Sequence, residues 1–201
     1  MALTGVKIHT LRDVESPLMP DAEEGLFTFL DELGITYRTV GHAPVATVEE
    51  AKKHRVEHEG AHVKNLFVRN KKGRMFLVTV LEDRIVDLKD LAKRLDAGHL
   101  SFGSPARLLE HLGVKPGAVT PLAALHDKSG AVTVVLDAAI ARERFVHCHP
   151  LRNDRTTTLH AVDLPRFLMA TGHMPVEIEL DTEAETKAKT KAKTKAEDEG
   201  S

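Results

Sequence analysis

Two apolar runs separated by a short turn constrain the fold of this chain more than any other feature. Residues 63–69 and 74–80 are rich in Val, Leu and Phe, and the sequence Asn-Lys-Lys-Gly at 70–73 lies between them. Runs of this length joined by a short glycine-containing connection are typical of a β-hairpin. The chain is therefore expected to build a sheet around these two strands.

Helix signals and further strand-like runs surround this hairpin. Asp21 begins a capping-box pattern, Gly34 ends the apolar periodicity that follows it, and Thr47, Asp87 and Ser104 are placed to cap three more helices. Further helices are expected near 138 and over 163–171, and further strands over 35–40, 100–102, 131–136, 144–148, 156–160 and 175–180. The mixture predicts a single α+β domain with a mixed, mostly antiparallel sheet and surrounding helices.

Length and composition set the limits of that domain. The chain has 201 residues and 42% hydrophobic content, enough for one good core, which we place at 21–180. Residues 1–20 have weak periodicity and are expected to form an arm. Residues 181–201 are a Thr/Lys/Ala/Glu tail with nothing to bury, so we expect disorder there. With seven Phe, one Tyr and no Trp, extended base-stacking platforms are not expected.

Charge and cysteine content narrow the class of protein. A single cysteine excludes an internal disulfide framework and a four-cysteine zinc site. Charged residues near the N-terminus argue against a signal peptide, and no apolar run approaches the length of a membrane span. A net charge of -2 gives no global attraction to nucleic acid. These features favour a cytoplasmic protein with neither a membrane nor a DNA partner.

Lys64 is the first candidate site residue. Strand alternation places Lys64, Leu66 and Val68 on one face of the first hairpin strand, so a lysine there needs a polar partner. The residue pattern alone leaves a second interpretation open, in which the lysine lies at the strand edge with its charge in water.

A strand-to-helix turn at Gly103-Ser104-Pro105 is the second candidate. Glycine allows close backbone approach, and the free N–H groups at a helix start favour an anion or a carbonyl oxygen that becomes negative. The alternative is an ordinary helix cap with no ligand.

His149 is the third candidate, at the end of an expected strand. Alternation places His147 and His149 on one face and Cys148 on the other, which opposes a Cys–His nucleophile pair. A His-x-His metal site lacks a third ligand at recognisable spacing, so a polar pocket histidine is favoured. Most of the other histidines are expected at the surface, namely His42, His54, His58, His62, His99, His111, His126, His160 and His173.

These segments resemble the YbaK/ProX family of aminoacyl-tRNA deacylases. The similarity lies in the residues around Val63-Lys64-Asn65-Leu66, in the Phe-Gly-Ser-Pro turn at 102–105, and in the His-Pro-Leu-x-Asn sequence at 149–153. It extends over roughly residues 22–172. The resemblance implies the editing-domain fold and hydrolysis of an aminoacyl-tRNA ester.

The resemblance also implies roles for individual residues. Lys64 is expected to hold the terminal adenosine and ester end of the tRNA, with Asn65 orienting it. Gly103 is expected to line the amino-acid pocket. Its N–H and the N–H groups that follow, in the turn that contains Ser104, are expected to bind the ester carbonyl oxygen.

The same resemblance implies that His149 shapes the aminoacyl pocket and that Thr47 contacts substrate at the pocket rim. The amino-acid sequences of these motifs are most similar to those of freestanding editing domains that remove alanine from tRNA(Pro). Expected partners are the acceptor end of tRNA(Pro) and prolyl-tRNA synthetase, with no metal or cofactor. A Cys-tRNA(Pro) deacylase of the same fold and a non-catalytic tRNA- or synthetase-binding module are the alternatives.

Overall fold

The computed structural model describes residues 20–43 and 59–181 of the chain. The expected arm up to residue 19, the helix expected from Thr47 and the tail after residue 181 lie outside these ranges. All helices and strands named for this protein lie within the two ranges.

Strands and short helices alternate irregularly along the described residues. The α-helices are α1 (Pro20–Glu32), α2 (Leu88–Arg94), α3 (Pro105–Leu112) and α4 (Asp163–Ala170), and 3-10 helices cover Pro121–His126 and Ala138–Arg142. The strands are β1 (Tyr37–Gly41), β2 (Ala61–Asn70), β3 (Met75–Leu81), β4 (Leu100–Phe102), β5 (Val132–Asp137), β6 (Phe145–Cys148), β7 (Arg155–His160) and β8 (Val176–Ile178).

All eight strands form one mixed sheet. The strand order is β1-β7-β6-β2-β3-β5-β8, and β4 pairs with β2 off this path. The pairs β2–β6, β3–β5 and β5–β8 are parallel, and the other four are antiparallel. This arrangement confirms the mixed α+β fold that the sequence predicts, with β2 at its centre.

Each face of the sheet has its own core. The larger core contains the buried faces of α1, α3, α4 and the first 3-10 helix, and Leu26, Leu30 and Phe167 are fully buried in it. The smaller core lies on the opposite face, where Leu91 of α2 packs with Val68 and other apolar side chains of the central strands. The sheet thus separates the two cores, and successive residues of β2 face the larger and the smaller core in turn.

Two helices begin at their predicted caps, whereas α1 begins at Pro20, one residue before the predicted cap Asp21. The Ser104 hydroxyl accepts a hydrogen bond from the Arg107 N–H at 3.3 Å, and Asp87 accepts one from Lys89 N–H at 2.6 Å. Gly113 ends α3 in the left-handed conformation with φ 65°. These local interactions confirm the starts of α2 and α3, because a side-chain acceptor satisfies N–H groups that lack a partner within the helix.

The 3-10 helix Pro121–His126 is an element that the sequence pattern does not predict. Its first five residues are all buried, so it shows no polar face and no amphipathic periodicity. Strand β1 also begins at Tyr37 rather than at the expected residue 35, because Ile35 enters the larger core in the turn after Gly34.

The other histidines of the described residues differ in exposure: His99 is exposed, His173 is buried, and the remaining five are half-buried. His173 is buried, and its Nε2 lies 3.1 Å from Oδ2 of Asp127, which is also buried. Burial by itself would raise the pKa of Asp127, but hydrogen bonds from Val132 N–H, His173 and Ser129 lower it below 3.8. The sequence separation of 46 residues hides this pair from pattern analysis.

Candidate functional site

The central strand β2 has a gap along one edge. Strand β3 pairs with β2 over residues 63–69 on the other edge. On the gapped edge, β6 pairs only with Ala61 and His62, and β4 pairs only with 68–70. On this edge, no strand of the described residues pairs with residues 63–67 of β2.

The two strands that flank the gap point towards each other. Strand β6 runs parallel to β2 and β4 runs antiparallel, so both carboxyl-terminal ends face the gap. His149 follows the end of β6, and Gly103 follows the end of β4, where its N–H donates to the Phe67 carbonyl oxygen at 2.8 Å. The structure therefore brings the Lys64, Gly103 and His149 segments to one place, at the kind of strand end where sheet proteins build sites.

Lys64 lies in the middle of β2 on the face of the smaller core. Its side chain is half-buried, and Nζ donates to the backbone oxygen of Arg84 in the loop after β3. Arg84 is itself fixed by Asp137, with 2.8 Å between Nε and Oδ2 and both side chains buried. The expectation that a lysine on this face needs a polar partner is confirmed.

Asn65 points to the opposite face of the sheet. Its Oδ1 accepts from the Thr79 hydroxyl at 2.8 Å, and its Nδ2 donates to the Val119 carbonyl oxygen at 2.9 Å. The side-chain amide thus ties β2 to β3 and to the segment before the first 3-10 helix. The structure does not bring this side chain together with that of Lys64, because neighbouring strand residues face opposite ways.

Gly103 has a packing reason to be glycine. A Cβ at this position would lie 2.4 Å from Cδ1 and 2.5 Å from Cε1 of Phe67, whose ring is buried. Its N–H already serves the sheet through the Phe67 carbonyl, and the Ser104 hydroxyl serves the helix cap. Both residues therefore have structural roles at the edge of the gap.

His149 is half-buried beside a second imidazole. Its Nδ1 lies 3.0 Å from the Arg155 carbonyl oxygen, and its ring centroid lies 6.3 Å from that of His42. Burial lowers the pKa of His149 below 6.5 and outweighs the hydrogen bond to Arg155, which acts to raise it. Because Nδ1 carries the proton donated to that carbonyl, Nε2 is the acceptor of a neutral ring.

Cys148 and His147 confirm the predicted alternation along β6. The Cys148 thiol is in the larger core, where burial raises its pKa to about 12. His147 faces the other way, stacked on His62 with 4.4 Å between ring centroids and with Nδ1 2.8 Å from the Thr158 hydroxyl. A thiolate nucleophile paired with His149 is therefore disfavoured, because the thiol stays protonated and faces away.

A charged network fixes the turn that follows His149. Arg152 donates to both carboxylate oxygens of Asp154, at 2.9 and 2.5 Å, and Arg155 reaches Glu23 of α1 at 3.3 Å. The hydrogen bond from Arg152 lowers the pKa of Asp154 below 3.8. Leu151 has a left-handed backbone with φ 66°, which is unusual for a residue with a Cβ. The His-Pro-Leu-x-Asn motif marks the turn, but nothing in the sequence pattern indicates these supporting charge pairs.

Thr47, metal-binding groups and membrane-spanning helices are considered separately from the gap in β2. The expected substrate contact of Thr47 lies outside the described residues. Within 20–43 and 59–181, no group of three or more His, Cys, Asp or Glu side chains is arranged to hold a metal ion. No helix in those ranges has the length and apolar character required to cross a membrane.

Comparison with known proteins identifies the family of the chain. Residues 42–167 match the family model of the aminoacyl-tRNA editing domain. The chain is 40% identical over 163 residues to prolyl-tRNA synthetase associated domain-containing protein 1 of Danio rerio, covering 80% of this chain and 89% of that protein. It is 38% identical over 161 residues to the prolyl-tRNA editing protein ProX of Acetoanaerobium sticklandii, covering 80% and 98%.

A solved structure supports the fold. The crystal structure of a protein proposed as a trans-editing enzyme for prolyl-tRNA synthetase superimposes with a TM-score of 0.62, covering 81% of this chain and 99% of that one at 18% identity. Together with the family match and the close relatives, it establishes the expected resemblance: the chain belongs to the YbaK/ProX-like family of aminoacyl-tRNA editing domains.

Proposed function

We propose that this protein is a trans-editing hydrolase that removes alanine from mischarged tRNA(Pro). The observation that carries the proposal is the convergence of Lys64, the Gly103 turn and His149 at the gap in β2, in a chain of this family. A cation, a helix start and a neutral imidazole around one cleft suit an anionic RNA end that carries an ester.

The reaction needs positioning more than a protein nucleophile. Water attacks the ester carbonyl carbon, the bond to the ribose oxygen breaks, and that oxygen takes a proton, which releases alanine and free tRNA. Lys64 holds the phosphate end, and hydrogen-bond donors at the start of α3 stabilise the carbonyl oxygen as it becomes negative. Because the Gly103 N–H is bonded to Phe67, we assign the donor role to the N–H groups of Ser104 and Ala106.

His149 is proposed to form a wall of the aminoacyl pocket. Its Nδ1–H is held by the Arg155 carbonyl, so the ring keeps one orientation. A synthetase site built for proline rejects a smaller amino acid by only ~1–3 kcal/mol per missing methylene, so some tRNA(Pro) is charged with alanine. A small pocket in a second protein can then admit alanine, exclude proline and hydrolyse the wrong ester. Asn65 then acts as a positioning residue, because it braces β2 from the other face.

The names of the relatives support the proposed partners. One relative is named a prolyl-tRNA editing protein, and the name of another says that it contains a prolyl-tRNA synthetase associated domain. We therefore propose the acceptor end of tRNA(Pro) as the substrate and prolyl-tRNA synthetase as a transient partner, in the cytoplasm where charged tRNA is used.

A deacylation assay with three substrates tests the proposal. Purified protein is mixed with tRNA(Pro) charged with alanine, cysteine or proline, and the release of each amino acid is followed in single turnover. Rapid release of alanine with proline retained is the expected result. Preferred release of cysteine would assign the protein to the alternative substrate, and no release from any of the three would favour the non-catalytic binding module.

A further inference from the structure

Phe102 is the one exposed side chain among the Phe and Tyr residues of this protein. All eight Phe and Tyr residues of the chain lie in the described residues, and there is no Trp. The Phe102 side chain is 64% exposed. The other seven rings are half-buried or buried, namely Phe27, Phe29, Tyr37, Phe67, Phe76, Phe145 and Phe167.

The position of Phe102 connects it to the candidate site. It is the last residue of β4, directly before Gly103, and it pairs with Val68 of β2. Leu100 and Val68 both belong to the smaller core, so alternation places Phe102 on that face, which is also the face of Lys64. Lys64 lies four residues from Val68, or about 14 Å along the strand.

The backbone under the ring is held firmly. The Gly103 N–H bond to the Phe67 carbonyl continues the pairing of β4 with β2 beyond Phe102. Within residues 101–104 the Phe102 ring is the one apolar side chain, and the next exposed apolar residues, Pro105, Ala106 and Leu109, belong to α3. A single rigid ring offers the area of one nucleic-acid base rather than that of a protein helix.

We propose that Phe102 is the platform on which the terminal adenine base of the charged tRNA stacks. The inference rests on the proposed function, since it places the ester of that nucleotide at the neighbouring Gly103 turn. The base then lies on Phe102 on one side of the ester, and the preceding phosphate reaches towards Lys64 along the same face. Stacking is tolerant of base identity, so the ring fixes where the last nucleotide lies rather than which tRNA is bound.

The test compares two RNA hairpins that copy the acceptor stem of tRNA(Pro), one with the full CCA end and one lacking the terminal adenosine. Wild-type protein is expected to bind the full hairpin more tightly. The variant Phe102→Ala should weaken binding of the full hairpin by about 5- to 150-fold and leave the shortened hairpin unchanged, because stacking on an aromatic ring changes affinity by that much per base. Phe102→Tyr should retain the preference, and Met174→Ala, 76% exposed before the far edge strand β8, is the matched control.

Activity measurements separate this inference from the proposed function. In deacylation of Ala-tRNA(Pro), Phe102→Ala should raise KM with a smaller change in kcat, and its melting temperature should match that of the wild type because the ring is exposed. An equal effect on both hairpins, or no effect on either, would overturn the platform while leaving the deacylase intact. If the wild-type protein hydrolyses no charged tRNA, and Phe102→Ala still abolishes the preference for the hairpin with the terminal adenosine, the proposed deacylase activity is refuted and the stacking role of Phe102 is retained.

Discussion

Replacing Gly103 by alanine tests how the candidate site is built. The new methyl carbon would lie 2.4 and 2.5 Å from two carbons of the Phe67 ring, against an ordinary contact of at least 3.4 Å. The overlap is about 1 Å against a buried ring, so the cost should be near the top of the ~1–3 kcal/mol range for overpacking. Reduced entropy of the unfolded chain offsets up to ~1 kcal/mol. We expect a net loss of about 2 kcal/mol in the free energy of unfolding.

Urea unfolding and thermal melts measure this loss. For a protein of this size, about 2 kcal/mol corresponds to a decrease of roughly 4–8 °C in Tm. Gly25→Ala is the matched control, because Gly25 lies inside α1 with no atom within 4 Å of a built Cβ, and there alanine should stabilise by ~0.5–1 kcal/mol.

A double-mutant cycle with Phe67→Leu decides whether the contact is the cause. If the overlap with the ring is responsible, the loss from Gly103→Ala should shrink when Phe67 is replaced, giving a coupling of 1 kcal/mol or more. Strictly additive losses, or a Gly103→Ala variant as stable as the wild type, would refute this reasoning about the turn.

Three further predictions concern the other residues of the site. Lys64→Ala should lower kcat/KM on Ala-tRNA(Pro) by about 10- to 150-fold, as expected for the loss of a charge-assisted hydrogen bond. The free energy of unfolding measured in urea should change by only about 1 kcal/mol. Wild-type turnover would contradict the assignment of Lys64 to the site. Cys148→Ala should deacylate at the wild-type rate, since burial raises the pKa of the thiol to about 12, and an inactive but stable variant would restore the thiol as a nucleophile. The pKa of His149 is lower in the folded than in the unfolded protein, so below pH 6.5 the unfolded chain binds more protons and the free energy of unfolding falls as the pH falls. The variant His149→Gln should flatten that part of the pH–stability curve. An unchanged slope would argue against a buried neutral ring.

The elements that sequence predicted well are specified by neighbouring residues. The β2–β3 hairpin is set by two apolar runs and the turn between them, and α3 is set by Ser104 and Gly113 at its ends. Each of these signals lies within about ten residues of the element it defines. Local chemistry was therefore sufficient for them.

Interactions between distant segments were beyond the sequence pattern. The gap in the edge of β2 depends on where β6 and β4 stop, and nothing within β2 records that. Alternation gave the face of Lys64 correctly, but its partner is a backbone carbonyl in a loop after the next strand, at Arg84. The opposite orientation of Asn65 follows from the same alternation, yet its bonds to Thr79 and Val119 required the tertiary structure.

The cooperative folding unit is longer than the segment by which the family is recognised. The family match ends at residue 167, yet β8 adds a parallel strand to β5, Leu180 is buried, and His173 Nε2 lies at hydrogen-bond distance, 3.1 Å, from Oδ2 of the buried Asp127. At the other end, α1 precedes the match and contributes Leu26 and Leu30 to the larger core. A version cut to residues 42–167 would lose the His173 hydrogen bond to Asp127, expose the β5 edge and uncover one face of the larger core, so such a fragment would associate with itself.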